Sequence, residues 1–252
     1  MTTDNSPLTT DSVSGGDRVE KKSGRVKEMF ASIAHRYDFL NRLLSLSMDR
    51  RWRRVATEVL LDSLPRRNAL VLDLCTGTAD LALELSRRCG RVVGCDFCHP
   101  MLILGRGKVA SSGTPERVSL VEGDALGLPF PADRFDGVTI AFGLRNLEDC
   151  AGGLAEMHRV LRPGGVLEIL EFSQPKVPVF RQLYSFYFRR VLPSVGGCFS
   201  GERAAYAYLP ESVRQFPSPD ELLNLMESAG FSGTCYRRLS GGIVCLHLGR
   251  KL

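Results

Sequence analysis

Leu70-Val-Leu-Asp-Leu-Cys-Thr-Gly-Thr-Ala-Asp80 is the stretch whose reading decides the fold. Leu70 to Leu74 has the length and branching of a strand buried on both faces, and Thr76-Gly77-Thr78 is small enough to turn sharply into a helix. A turn of this kind brings the backbone close to a ligand and aims free N–H groups at it. The next segment, Arg91-Val-Val-Gly-Cys-Asp96, ends in a carboxylate roughly twenty positions after Gly77, the spacing at which an acid meets ribose hydroxyls across the strand ends.

The turn lacks Gly-x-Gly-x-x-Gly, because Thr76 and Ala79 stand where small glycine positions are needed to cradle a pyrophosphate. A phosphate-free adenosine ligand fits better, and S-adenosylmethionine is the candidate. An NAD-dependent dehydrogenase is disfavoured on the same ground.

The rest of the chain extends this unit. After strand one, a helix over Asp80 to Arg88 leads to strand two, and Pro100 to Ala110 forms a second crossover helix. Val118 to Glu122 reads as strand three. Asp124, just past its carboxyl end, is placed to accept from the exocyclic amine of adenine, with Leu126 or Leu128 over the ring. Gly137 to Ala141 reads as strand four. It ends in Ala141-Phe-Gly-Leu-Arg-Asn146, where Arg145 is a fixed cation and Asn146 an uncharged donor and acceptor. A helix from Cys150 to Leu161 and the stop signal Arg162-Pro-Gly-Gly165 precede strand five, Val166 to Phe172. Ser218-Pro-Asp-Glu221 is a capping box, and strands Thr234 to Leu239 and Ile243 to Leu248 close the chain. The expectation is an α/β fold: a Rossmann-like, seven-stranded, mostly parallel sheet with helices on both faces and a terminal β-hairpin.

Two segments stand outside that alternation. Val26, Met29, Phe30, Ile33 and Tyr37 recur at helical spacing, which predicts an amphipathic helix over 25–37 within an N-terminal helical region reaching residue 62. It is either a cap whose Trp52 packs into the core or a lid that brings Tyr37 and Asp38 to the ligand. Between 173 and 217 lies a helical insertion in which Phe180, Leu183, Tyr184, Tyr187, Phe188 and Val191 share one face with basic neighbours, as a core-packing element or as a wall for an apolar substrate touching a membrane.

Composition narrows the function classes. The 252 residues, 44% hydrophobic and 24% charged, suit a single α/β domain. Residues 1–24 read as a disordered tail without the apolar centre of a secretory signal, and no run is long and apolar enough to span a bilayer, so the expected location is the cytoplasm. The net charge of +5 is concentrated between Arg18 and Arg54, where eleven Lys or Arg face four acids. No recognition motif for nucleic acid accompanies it, and a solvated face or an anionic membrane contact remain. Five of the eight cysteines, Cys75, Cys89, Cys95, Cys235 and Cys245, lie in or beside apolar segments and read as reduced core residues, and Cys95-Asp-Phe-Cys98 lacks the second ligand pair that a zinc site requires, so no metal is expected.

Taken together, the segments from about Val26 to Leu252 resemble class I S-adenosylmethionine-dependent methyltransferases, and within them the quinone C-methyltransferases of menaquinone and ubiquinone synthesis, the MenG/UbiE family. The resemblance rests on Ile33 to Asn41 with Ser47 and Trp52, the Asp73 to Asp80 turn, Asp124 to Phe130 and Phe142-Gly-Leu-Arg-Asn146. Arg162-Pro-Gly-Gly165 with Leu170-Glu-Phe-Ser173, and Tyr208-Leu-Pro-Glu-Ser-Val213, complete it. It implies that Gly77, Thr78, Asp96, Asp124 and Ala125 contact the cofactor, with a backbone contact at Ala141, where the family often has Ser. Gly is frequent in the family at Ala79 and Ser at Cys98, and the histidine common before the tryptophan is absent here.

The implied reaction moves the sulfonium methyl to a ring carbon of a polyprenyl quinol, demethylmenaquinol to menaquinol. The alternatives are the benzoquinol of ubiquinone synthesis or a non-catalytic cofactor-binding scaffold in a quinone-synthesis assembly. The ring carbon is nucleophilic as its neighbouring hydroxyl loses a proton, so Arg145 is the leading catalytic residue, as an oxyanion stabiliser or by polarising a water. Asp38, Tyr37 and His35 follow as orienting or relaying groups. Such a substrate implies transient contact with the inner face of the cell membrane, and a homodimer is left open.

Overall fold

The computed structural model describes residues 15–66, 68–175 and 203–252. Helix α1 (Gly15–Leu44) and helix α2 (Met48–Ser63) precede the sheet, separated by a break at which Leu46 and Ser47 take left-handed conformations. The sheet elements follow as β1 (Leu70–Leu74), α3 (Asp80–Ser86), β2 (Arg91–Asp96), α4 (His99–Ala110), β3 (Val118–Glu122) and β4 (Phe135–Ala141). After them come α5 (Cys150–Val160), β5 (Leu161–Phe172), α6 (Arg203–Gln215), α7 (Pro219–Ser228), β6 (Phe231–Leu239) and β7 (Val244–Lys251).

The sheet has seven strands in the order β3-β2-β1-β4-β5-β7-β6. β1 to β5 are parallel, and β7 is inserted antiparallel between β5 and β6. This is the architecture expected from the sequence. The order reverses between β1 and β4, so the carboxyl ends of those strands flank the crevice where open α/β sheets bind ligands.

The β1 side chains explain its burial on both faces. Leu72 and Leu74 join a core with Ile140, Leu154, Met157, Leu222 and Met226, under α5 and α7. Val71 faces the other way, into a core with Leu60, Leu81, Leu85 and Val92 under α2 and α3. Trp52 belongs to a third cluster: 4% exposed, it packs against Phe142 and Phe172 and donates its indole N–H to Ser240 Oγ at 2.8 Å. The cap reading therefore holds for Trp52, which braces the loop after β4 from behind.

Boundaries differ from the expectation in instructive places. α1 is helical from Gly15, whereas a disordered tail was expected to residue 24; its Glu, Lys and Arg residues are good helix formers without an apolar pattern to announce them. Residues 1–14, the rest of that tail, and the Phe180 to Val191 segment lie outside the described residues. β5 begins at Leu161, because the Arg162-Pro-Gly-Gly165 turn sits as an irregularity within the strand, where pairing with β4 shifts register between Phe135 and Gly137. β7 runs on to Lys251, whose ammonium donates to the carbonyl of Leu161 at 2.8 Å and holds the sheet's far end closed.

His247 gives a prediction about stability. It is 2% exposed on β7, its Nε2 lies 3.3 Å from the Pro219 carbonyl, and burial pushes its pKa down to about 4. The unfolded imidazole titrates near 6.5, so between about pH 6.5 and 4 the unfolded chain binds the extra proton and stability falls as pH falls. The full penalty is about 3 kcal/mol, complete below both values. His247→Leu is expected to flatten this acid limb in urea melts between pH 4 and 7; an unchanged slope would remove His247 as its cause.

Candidate active site

The turn after β1 is built from three residues with positive φ: Cys75 at 55°, Gly77 at 56° and Ala79 at 67°. Glycine adopts this geometry freely, while Cys75 and Ala79 hold it at a cost. Asp96, at the end of β2, fixes the turn. Its Oδ2 accepts from the Gly77 N–H and its Oδ1 from the Cys98 N–H, both at 2.8 Å. Burial raises the Asp96 pKa and these N–H donors oppose the rise. The lone-pair positions that these donors leave open can accept from hydroxyls of a ligand.

Around this point opens a cavity of about 910 Å³, including its solvent-open mouth. Gly77, Asp96, Asp124, Ala125, Ala141 and Tyr37 all line it. Asp124 is held by accepting from the Leu126 N–H at 2.9 Å, so its carboxylate is oriented before any ligand arrives. Phe97, Met101 and Leu126 supply an apolar wall, suited to a heteroaromatic ring. Leu128, weighed with Leu126 as a ring cover, is 5% exposed and belongs to the core. The two carboxylates and the left-handed turn fit an adenosine ligand that carries no phosphate. Among the described residues, no group of three or more His, Cys, Asp and Glu is placed to hold a metal ion.

Three expected site residues are not on the cavity wall. Thr78 directs its hydroxyl to Asp38 Oδ1 at 2.7 Å and accepts from Lys108 at 2.8 Å. Asp38 is itself ion-paired with Lys108. Arg145, read from sequence as a fixed cation at the loop, is paired instead: its Nη1 lies 2.8 Å from Glu171 Oε1, with the two side chains 8% and 1% exposed. Glu171 also accepts from the Phe172 and Arg145 N–H groups, and the Arg145 guanidinium sits 5.3 Å from the Phe172 ring centroid. Burial raises the Glu171 pKa while Arg145 opposes it. The Arg145 Nε is buried and has no hydrogen-bond partner among the described residues.

The neighbouring Asn146 does line the cavity, and its Oδ1 accepts from the Tyr208 hydroxyl at 3.1 Å. Tyr37 reaches the opposite wall beside Phe30, with burial raising its pKa, so it stays a phenol at neutral pH. His35 is exposed. Sequence reasoning missed Lys108, Arg53 and Glu171. Glu171 is distant in sequence from Arg145, and the strand register that joins them has no local signature.

Comparison with known proteins agrees with this geometry. The model of the ubiE/COQ5 methyltransferase family matches residues 18–251. The chain is 50% identical over 225 residues to the demethylmenaquinone methyltransferase of Thermus thermophilus, covering 88% of this chain and 100% of that protein. It is 49% identical over 237 residues to the ubiquinone/menaquinone biosynthesis C-methyltransferase UbiE of Geobacter sulfurreducens, covering 93% and 91%. Among solved structures, a SAM-dependent methyltransferase of Thermotoga maritima, described as a possible histamine N-methyltransferase, superposes with TM-score 0.61 at 18% identity over 89% of this chain and 99% of that one. That likeness concerns the fold.

Gly143 supplies a test of the cavity. A Cβ there would lie 2.5 Å from Cys75 Cβ and 2.9 Å from its Sγ, and Cys75, already left-handed, cannot retreat without moving the turn. Gly143→Ala is expected to weaken S-adenosylmethionine binding at least about tenfold, or 1.4 kcal/mol. Calorimetric titration reads it, and affinity within twofold of the parent would show that this contact does not shape the cavity.

Proposed function

The chain belongs to the ubiE/COQ5 methyltransferase family, and from that premise we propose that it transfers a methyl group from S-adenosylmethionine to a ring carbon of demethylmenaquinol, the last step of menaquinone biosynthesis. The observation that carries the reading is the junction of two features at one cavity. The Asp96 and Asp124 carboxylates suit the adenosine part of the donor, and the Phe142 to Asn146 loop borders them on the acceptor side. The naphthoquinol is favoured by the relatives named for demethylmenaquinone; the benzoquinol stays as the second reading, because other relatives are named for both quinones.

When bound, the cofactor supplies a methyl on a positively charged sulfur, open to in-line attack by a carbon nucleophile. The protein's part is to orient and to manage one proton. Asp96 would accept from the ribose hydroxyls through the lone pairs its backbone donors leave open, and Asp124 would accept from the adenine amine. On the other side, a quinol hydroxyl must lose its proton for the ring carbon to become nucleophilic. Arg145 does not line the cavity, but its buried Nε–H is an unspent donor next in sequence to the cavity-lining Asn146, and through a bridging water it would stabilise that oxyanion. Glu171 keeps the guanidinium in place and offsets its charge, so the pair presents a fixed donor rather than a bare cation. Tyr37, protonated at neutral pH, offers a second hydroxyl from the α1 wall. Water must be kept from the sulfonium, and Phe30, Phe142 and Met101 provide the apolar cover.

The polyprenyl tail places the acceptor in a bilayer, so the protein visits a membrane surface. Among the described residues no helix is long and apolar enough to cross one. Phe39 of α1 and Leu46 in the break before α2 are exposed, 55% and 78%, amid the basic N-terminal residues that suit anionic lipid at the inner face of the cell membrane.

The experiment that tests the reading offers labelled S-adenosylmethionine with reduced demethylmenaquinone or the reduced demethylated benzoquinone in detergent. Label in the naphthoquinol alone is expected; label in neither, from protein that binds the cofactor, would refute the acceptor assignment. Arg145→Ala is expected to lower kcat/KM at least about a hundredfold, near 2.7 kcal/mol of transition-state stabilisation, and a loss under about threefold would remove Arg145 from the chemistry.

A further inference from the structure

Beside the cavity lies a cluster of charges that the reaction does not use. Lys108, in the last turn of α4, directs its ammonium to three acceptors: Thr78 Oγ1 at 2.8 Å, Asp80 Oδ1 at 2.6 Å and the Asp38 carboxylate. Thr78 returns a hydrogen bond to Asp38 at 2.7 Å. Asp80 is held in turn by Arg53 of α2 at 3.2 Å, and Arg53 by Asp49 at 3.0 Å. Burial raises the Asp80 pKa, but Arg53 and Lys108 outweigh it and keep the carboxyl below its usual range. The side chains are a quarter exposed or less at Asp38 and Asp80 and 28% exposed at Lys108.

We propose that Lys108 is a positioning residue that latches α1 over the cofactor cavity through Asp38 and Thr78. The geometry separates the cluster into a fixed half and a releasable half. Lys108, Thr78 and Asp80 sit on α4, the β1 turn and α3, all tied to the sheet. Asp38 alone comes from α1. If α1 moves off the cavity, the Asp38–Lys108 pair and the Thr78–Asp38 hydrogen bond break together, while Asp80 keeps Lys108 aimed and ready for closure. A lysine's three ammonium donors match the three acceptors one for one.

Closure at this place matters because α1 is the cavity wall. Phe30 and Tyr37 line the cavity, and the same helix face packs Ala34 against Cys98 and Met101 of the α4 start. Closure of such a wall over a ligand is a common way to sequester it from water. The apolar contacts resist displacement without fixing the helix's angle, and the directional contacts at Asp38, the residue after Tyr37, set it. Thr78 belongs to the same turn as Gly77, so the latch also joins the wall to the backbone that the ligand touches. Asp38, which the sequence offered as a relay, is thereby spent on position. The inference rests on the cavity being the cofactor site.

The test is hydrogen–deuterium exchange on the full, ligand-free chain, with cofactor binding and steady-state kinetics read separately. In Lys108→Met and in Asp38→Asn, amides from Phe30 to Asp38 are expected to exchange at least tenfold faster than in the parent. The KM for S-adenosylmethionine should rise about tenfold, while kcat falls less than threefold. The double variant should be no worse than the weaker-binding single one, since both remove the Lys108–Asp38 ion pair, and Lys108→Arg should recover part of the affinity. If Lys108→Met also loosens β4 and β5, Asp38→Asn, which leaves the fixed half intact, decides the matter. Exchange in residues 30–38 of Asp38→Asn within twofold of the parent would overturn the latch. Failure of the unaltered protein to bind S-adenosylmethionine would refute the cofactor reading instead, and the exchange result would stand apart from it.

Discussion

The Asp96 carboxylate is held between two backbone N–H groups, and much of the site follows from that constraint. By accepting from Gly77 it fixes the turn after β1 in a left-handed shape; by accepting from Cys98 it sets the first turn of α4. Two crossover units are joined at a single side chain that is 6% exposed. A carboxylate buried this far costs solvation free energy, and it keeps its place because each oxygen is satisfied by an oriented donor. The strand ends of β1 and β2 are thus rigid, and the cavity between them is shaped before a ligand arrives.

The other charges of the site are handled by pairing, with consequences for chemistry. Arg145 and Glu171 form a buried pair behind the Phe142 loop, braced by Trp52 and Phe172. Removing one partner of such a pair strands the other, which typically costs about 3–5 kcal/mol. An arginine held this way can offer a donor in a fixed direction without bringing a counterion into the cavity. Lys108 and Asp38 are paired nearer the surface, where the link is weaker and can open. The buried pair thus lies behind the loop after β4, and the partly exposed link lies between α1 and α4.

The sheet was legible because its signals are local. Leu70 to Leu74 announces a doubly buried strand, the Thr-Gly-Thr turn its exit, and Asp96 the ligand edge; the fold needs little beyond these and the capping box at Ser218, which the structure retains with both of its hydrogen bonds. The amphipathic stripe from Val26 to Tyr37 foretold a helix and its apolar face, and Tyr37 does reach the cavity. What could not be read were links between distant residues. Thr78 carries a side chain that suits a cofactor contact, yet its hydroxyl is captured by Asp38, forty positions earlier. Arg145 looked like an open cation because Glu171 becomes its neighbour only through the sheet. Ala79, where the resemblance led one to expect glycine, sits at φ 67°, a residue choice whose backbone cost appears only in the folded turn.

The claim at the centre is that Asp96 organises a site for S-adenosylmethionine. Calorimetric titration of that ligand into the unaltered protein and into Asp96→Asn tests it most directly, with thermal melts to confirm that both are folded. The account expects one site per chain in the parent and at least a hundredfold weaker binding in the variant, about 2.7 kcal/mol. Binding within threefold of the parent by folded Asp96→Asn would contradict it.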